Sequence, residues 1–119
     1  MIEVRRAREK DLDDVITLEN KVWPPGTRSP REKFESRLRI FPEGFFLAYK
    51  EGSLIGVSTS QIIKYDGSTI DSWEKITDFG WIRTHNPMGN ALYVVSLGAI
   101  SRSGGGSALI MHRKSWRQN

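Results

Sequence analysis

The residues best suited to chemistry lie late in the sequence. Ser101-Arg102-Ser103-Gly104-Gly105-Gly106-Ser107 follows the apolar run 91–100 and precedes Ala108-Leu109-Ile110-Met111. A buried strand, a glycine turn and a helix start together make a phosphate site. The first backbone N–H groups of a helix have no internal partner, and the helix dipole adds partial positive charge there. Glycine lets the backbone reach a ligand with no Cβ in the way, and Arg102 supplies a direct charge. The same string, taken alone, also reads as a flexible linker. Two familiar phosphate signatures do not fit. A Walker loop ends in Gly-Lys-Ser/Thr, and Gly106-Ser107-Ala108 does not. A dinucleotide fingerprint needs an acid about 20 residues further on, whereas the sequence ends 13 residues after Gly106 with no acid.

Candidate proton-transfer groups are scattered. Glu19 has apolar neighbours at Val15 and Val22, the spacing of one helix face, so its carboxylate is expected at a buried boundary. Asp78 and His85 fall in a long connection. His85 titrates near neutrality, and its bland alternative is a loop side chain bonded to backbone. His112 is expected in solvent. Two distant histidines and no cysteine give no metal-ligand spacing, so no metal is expected. Trp73, Trp81 and Tyr93 either line a pocket or cover the core, and Trp23 reads as a helix-end plug.

The elements that must position these groups follow from patterning. Ile2 and Val4 alternate as in a short strand, and Leu12, Val15, Ile16, Leu18 and Val22 predict an amphipathic helix capped by Asp11. Trp23-Pro24-Pro25-Gly26 stops it. Ser29-Pro30-Arg31-Glu32 predicts a capping box opening a second helix, whose stripe is Phe34, Leu38 and Phe41. Residues 44–49 and 54–63 predict a hairpin around Lys50-Glu51-Gly52-Ser53. Residues 64–90 read as a long connection, with a helical turn or short strand in 70–78. Residues 91–100 form the clearest buried strand. Apolar periodicity fades from Met111 onward, which argues against a packed helix there.

Length and composition fit one globular domain over residues 1–119, of 13.6 kDa, with 27% charged residues. There is no cysteine for a disulfide framework, no apolar run of membrane-spanning length and no apolar leader at the start, so a reducing, cytoplasmic setting is expected. The net charge of +4 resides in the tail, at Arg102, Arg113, Lys114 and Arg117; the preceding hundred residues balance. Trp116 amid those charges invites a nucleic-acid reading, but no nucleic-acid-binding fold accompanies it.

The order β-α-α-β-β-β-α resembles the GNAT superfamily of acetyl-CoA-dependent N-acetyltransferases. Ile2-Glu3-Val4-Arg5-Arg6-Ala7 with Asp11-Leu12-Asp13-Asp14-Val15 is similar to that family's first strand and helix. Trp23-Pro24, Gly44-Phe45-Phe46-Leu47-Ala48, Glu51-Gly52-Ser53-Leu54-Ile55-Gly56-Val57 and residues 92–98 are similar to the family's subsequent segments. Gly104-Gly105-Gly106-Ser107-Ala108-Leu109-Ile110 resembles the cofactor motif Arg/Gln-x-x-Gly-x-Gly/Ala. The resemblance implies an α/β (α+β) fold with a mixed, mainly antiparallel sheet and helices on both faces. It implies acetyl-CoA as co-substrate and transfer of the acetyl group to a primary amine by direct attack on the thioester. It places pyrophosphate binding on Gly104, Gly105, Gly106 and Ser107, with Arg102 beside them. It places pantetheine binding and thioester polarisation on Leu97, Gly98 and Ala99. It puts Glu19 near the acceptor groove, and leaves Glu19 and His85 as the catalytic candidates.

Three departures accompany the resemblance. Ser101 stands where the motif has Arg or Gln. The 98–104 stretch is short and lacks the Val-x-Pro-x-x-Arg segment. Asn119 is reached before the family's fifth strand, fourth helix and last two strands, so a truncated domain is expected, with half of the cofactor cleft and a usual general acid missing. Two other readings therefore stay open: a partial, non-catalytic GNAT fold completed by a partner, and a small basic nucleic-acid-binding module. The unpaired edge of the fourth strand would recruit a second copy as a homodimer. The acceptor is not legible.

Overall fold

A computed structural model describes residues 1–68 and 70–114. Eight principal elements run in the order β1 (Ile2–Arg6), α1 (Leu12–Val22), α2 (Arg31–Ile40), β2 (Phe46–Lys50), β3 (Ser53–Ile63), α3 (Trp73–Thr77), β4 (Ala91–Ala99) and α4 (Gly105–Lys114). Short 3-10 turns at Glu9–Asp11 and Pro42–Gly44 lead into α1 and β2. The four strands form one antiparallel sheet, ordered β1-β2-β3-β4. The fold class expected from the sequence is the one found, and α3 is the helical alternative of the two expected within 70–78.

Strand alternation divides the core between the two faces of the sheet. Leu47 and Val57 face α1 and α2, where they meet Leu12, Val15, Leu18 and Phe34. Ala48 and Ile55 face the other way, against Leu109 of α4, with Ile2, Val4, Phe46 and Leu97 around them. A third cluster, Phe41, Ile82 and Val95, joins the end of α2 to the long connection and β4.

The hairpin turn is the one the sequence marks. Lys50 pairs with Ser53, and Glu51 and Gly52 both take positive φ (52° and 80°). This is the two-residue geometry that suits strand twist. Two bulges were not legible. The register shifts from Ala48↔Gly56 to Tyr49↔Leu54, which leaves Ile55 as the extra residue of β3. It shifts again from Thr59↔Ser96 to Ser60↔Val94, which leaves Val95 as the extra residue of β4.

Three local expectations are corrected. The Ser29 capping box does not form: Pro30 is the N-cap of α2 and makes no side-chain cap bond, because Ser29 is engaged elsewhere. Asp11 stands at the N-cap position of α1 but makes no side-chain cap bond to that helix; its carboxylate instead accepts the Arg8 N–H at 2.8 Å, closing the 3-10 turn, while paired with Arg5. The third concerns the last helix, which begins within the glycine run and continues to Lys114, past the point where apolar periodicity fades. Leu109 anchors it, being buried against Ala48 and Ile55, and His112 packs on Phe46 one turn further on.

Candidate functional site

Between the open edge of β4 and the first turn of α4 lies a mouth built by glycine. Gly104 takes φ +89°, and Arg102 just before it is also left-handed at +61°. These two residues reverse the chain between strand and helix. Ser103 holds the turn: its Oγ donates to the Ile100 carbonyl at 2.7 Å and accepts the Gly105 N–H at 3.1 Å. The first intrahelical bond is Ala108 N–H to the Gly104 carbonyl, 3.1 Å. The amides of Gly106 and Ser107 therefore remain without a helical acceptor.

The three glycines do different work. A Cβ on Gly104 would lie 2.9 Å from Ile2 Cδ1 and sit on a left-handed backbone. A Cβ on Gly105 would lie 3.1 Å from the Ile55 carbonyl oxygen, so this glycine lets α4 close on the β3 bulge. A Cβ on Gly106 would meet only Ala99 Cβ, at an ordinary 3.8 Å. Packing explains the first two, while Gly106 has room for a side chain beside Ala99 of β4.

The other wall is the edge of β4. Ile100 N–H donates to the Ile55 carbonyl at 2.9 Å, so Ile100 faces β3. Alternation then turns the backbone groups of Gly98 toward β3 and those of Leu97 and Ala99 toward the open edge. Among the described residues no strand covers that edge. Gly98 has its open face toward α1: a Cβ there would lie 3.2 Å from Trp23 Nε1 and 3.5 Å from Val22 Cγ1. Trp23 follows the last residue of α1, 37% exposed. Arg28 fixes it by donating from Nε to the Trp23 carbonyl (2.7 Å) and from Nη2 to that of Asn20 (2.9 Å). Of the eight cofactor-site residues read from the sequence, Leu97 and Ala99 turn backbone groups to the open edge, Gly106 and Ser107 open α4, and Arg102 is exposed in the turn between them, while Gly98, Gly104 and Gly105 are held by contacts with Trp23, Ile2 and Ile55.

The catalytic candidates lie apart from each other. Glu19 is 4% exposed on α1, and its Oε2 accepts the Ser29 N–H at 2.8 Å. Burial pushes its carboxyl above the usual range, opposed by that N–H and by the Arg37 and Arg28 guanidiniums. His85 sits beside the C-terminal end of β3. Its Nδ1 accepts the Ile62 N–H at 3.0 Å, and its ring stacks on Phe41 with centroids 4.3 Å apart. Burial lowers its imidazole, opposed by Glu43. This is the backbone-bonded arrangement that was its bland alternative. Asp78 is paired with Arg83, which lowers its carboxyl. His112 packs edge-on to Phe46 at 4.5 Å between centroids rather than standing clear in solvent. Trp81 lies within 6 Å of both Lys33 Nζ and the Arg83 guanidinium carbon. No group of three or more acidic, histidine or cysteine side chains fit for a metal occurs among the described residues. Trp116 and Arg117, which carried the nucleic-acid reading, lie outside the described residues, as does the side chain of Lys114.

Sequence reasoning missed a buried polar cluster on the α1–α2 side of β4. Arg37 of α2 is 1% exposed. It donates from Nε to the Gly80 carbonyl (2.8 Å), from Nη1 to Thr59 Oγ1 (3.4 Å) and Ser96 Oγ (3.3 Å), and from Nη2 to Ser29 Oγ (3.2 Å). Thr59 and Ser96 share a 2.7 Å hydroxyl–hydroxyl bond across the β3–β4 pair. Burial pushes the Arg37 guanidinium down to about 10, with Glu19 opposing the shift. It therefore stays charged at neutral pH, and Glu19 answers it. The signal was present: Arg37 lies three residues after Phe34 and four before Phe41, on the apolar stripe itself.

A four-stranded antiparallel sheet that opens at β4 onto a glycine-led helix is the architecture of a GNAT core. No family model matches the chain. Over 95 residues it is 38% identical to a probable hydrolase, YhcX, of Bacillus subtilis, covering 79% of this chain and 18% of that protein. Over 99 residues it is 32% identical to an uncharacterized N-acetyltransferase, YkwB, of the same organism, covering 79% of this chain and 44% of that protein. The chain thus spans less than half the length of these curated relatives. Among solved structures it superposes on the GphF GNAT-like decarboxylase in complex with isobutyryl-CoA. The TM-score is 0.75 at 24% identity, over 92% of this chain and 56% of that one. The GNAT superfamily resemblance read from the sequence therefore holds.

Proposed function

We propose that this chain binds acetyl-CoA across the β4–α4 mouth and transfers the acetyl group to a primary amine by direct attack on the thioester. The observation that carries the reading is a pair of backbone arrays, at the start of α4 and along the outer edge of β4, with no helix or strand partner among the described residues. The Gly106 and Ser107 amides, at the positive end of α4, suit a pyrophosphate. Arg102 at the rim adds charge. The outward N–H and C=O groups of Leu97 and Ala99 suit an extended amide-bearing arm, which pairs with a strand edge as another strand would. Amine attack on a thioester builds an oxyanion, and a fixed strand N–H stabilises it without reorganisation. The N-acetyltransferase name of the Bacillus subtilis relative supports acyl transfer, and the isobutyryl-CoA held by the GphF decarboxylase supports acyl-CoA binding.

Of the two candidate bases, Glu19 is the better placed. It belongs to the polar cluster that reaches Ser96 on β4 through Arg37, and burial has already raised its carboxyl toward the range a general base needs. The His85 imidazole has committed Nδ1 to Ile62. Glu19 takes the ammonium proton, directly or through water, and Glu19→Gln lowers kcat while sparing cofactor affinity. The chain is read as one domain.

The test is a calorimetric titration of acetyl-CoA and isobutyryl-CoA into the purified protein, with Gly106→Leu as the site variant. Saturable binding that weakens at least tenfold in the folded variant supports the reading. Equal binding by both proteins puts the cofactor elsewhere, and no binding by the folded wild type overturns it. Size-exclusion chromatography beforehand decides whether the β4 edge pairs with a second copy.

A further inference from the structure

We infer that Arg37 is a positioning residue for this site, holding the β4 bulge in the shape that presents its edge to the acyl group. This role rests on the reading of β4 as the acyl-binding edge.

The bulge is a place where the ladder does not fix the chain by itself. Thr59 pairs with Ser96 and Ser60 with Val94, so Val95 has no partner residue on β3. An extra residue bends the strand and re-aims the residues after it, here Ser96, Leu97 and Gly98. Three side-chain contacts take up the missing constraint. Trp73 Nε1 donates to the Val95 carbonyl at 2.8 Å. Ser96 Oγ meets Thr59 Oγ1, one residue on each strand beside the bulge. Arg37 Nη1 reaches both hydroxyls from α2.

The rest of the guanidinium ties this point to two loops. Nη2 reaches Ser29 ahead of α2, next to the Ser29 N–H that Glu19 accepts. Nε reaches Gly80 in a segment with a costly backbone, where Asp78, Phe79, Gly80 and Ile82 all have positive φ. A β-branched residue such as Ile82 rarely adopts that conformation. Ser36, the residue before Arg37, holds the same segment by donating to the Trp81 carbonyl at 2.6 Å. Gly80 is glycine for Arg37's sake as well: a Cβ there would stand 2.6 Å from Nη2.

A well-packed apolar residue commonly stabilises a core as well as a buried charge does. A methionine at 37 would fill space beside Phe34, but it could not bridge Ser96, Thr59, Ser29 and Gly80. Only a planar fork with five donors spans these oxygens. The geometry, rather than the charge, is what the position demands, and lysine cannot replace it.

Arg37→Lys and Ser96→Ala test the inference. Ser96→Ala removes the hydroxyl that Arg37 and Thr59 both meet beside the bulge, leaves the other Arg37 bonds in place, and keeps the variant set informative should Arg37→Lys not fold. Two readouts are taken: amide hydrogen exchange, and kcat beside the Kd for acetyl-CoA. The expected result is at least tenfold faster exchange at Ser96 and Gly98, whose amides face β3, with less than threefold change in β1 and β2. With it comes a fall in kcat of about tenfold and a Kd within threefold of wild type. Acceleration spread evenly over the sheet marks a merely structural role and overturns the inference, as does a wild-type kcat in the folded variants. A wild-type protein that binds no acyl-CoA overturns the proposed function instead, and the exchange pattern alone then decides whether Arg37 holds the bulge.

Discussion

Adjacent glycines in the α4 turn should respond to alanine with opposite signs. At Gly105 an added Cβ would stand 3.1 Å from the Ile55 carbonyl oxygen and 3.2 Å from Ile55 Cγ1. The carbonyl cannot yield, because it already accepts the Ile100 N–H. Helix and sheet must therefore separate by a few tenths of an ångström. Overpacking of this kind costs about 1–3 kcal/mol, against which the better helix propensity of alanine returns about 0.5–1. The net is a loss of about 1–2 kcal/mol. At Gly106 the added Cβ finds only Ala99, at 3.8 Å. Alanine there keeps the propensity gain without the clash and stabilises by about 0.5 kcal/mol, less than the full interior value because the site lies in the first turn. Thermal unfolding followed by circular dichroism should place Gly105→Ala about 4–8 °C below wild type and Gly106→Ala about 2 °C above it. A neutral Gly105→Ala would refute this account, because α4 would then not rest on the β3 bulge. A destabilising Gly106→Ala would refute it too, because the fold itself would then demand glycine there and the case for ligand approach would lapse.

Three further substitutions probe the same geometry. Burial lowers the His85 imidazole below its ordinary value of 6.5, so the folded protein binds fewer protons than the unfolded chain near that pH. Its contribution is present above 6.5 and lost as pH falls through the lowered value. The urea midpoint should therefore drop between pH 7.5 and pH 5, and His85→Gln should flatten that drop. Asp11 accepts two bonds from Arg5 (2.9 and 3.0 Å) and one from the Arg8 N–H. Asp11→Asn should lower stability by about 1.5–3 kcal/mol, as losing charge-assisted bonds does, read as a lower urea midpoint at unchanged m-value. Gly98→Ala puts a Cβ 3.2 Å from Trp23 Nε1. The half-exposed indole should swing away at a cost of about 1 kcal/mol, and one indole N–H resonance should shift while that of Trp73 stays.

The sequence revealed what local patterning controls. The Ile2/Val4 alternation, the Leu12–Val15–Leu18 stripe and the turn at Glu51-Gly52 each report on neighbours a few residues away, and each element appeared where that pattern put it. The glycine run was legible for the same reason, although its helix starts inside it rather than after it. Bulges are different. Ile55 and Val95 are ordinary strand residues, and nothing in their type shows that two strands fall out of step beside them. Arg37 failed for a third reason. A helix reading Arg31-Glu32-Lys33-Phe34-Glu35-Ser36-Arg37 presents so much charge that one more arginine passes as solvent-facing. The informative clue was its phase relative to Phe34 and Phe41, together with the polar run Ser58-Thr59-Ser60-Gln61 in an otherwise apolar strand. All four of those residues are buried, and buried hydroxyls need partners.

The two bulges explain why the mouth has two unlike walls. At Ile55 the extra residue of β3 offers its carbonyl to Ile100, and glycine lets α4 come down upon it, so this face is closed by contact. At Val95 the extra residue of β4 bends the edge strand, and side chains from α2 and α3 hold the bend from the opposite face. One wall is thus rigid through packing, the other through hydrogen bonds. A substitution at Gly105, where α4 rests on β3, should consequently be felt first as stability, and one on the Arg37 side first as rate. Cofactor grip and chemical competence would then be separable by mutation, with Gly106 testing the first and Ser96 the second.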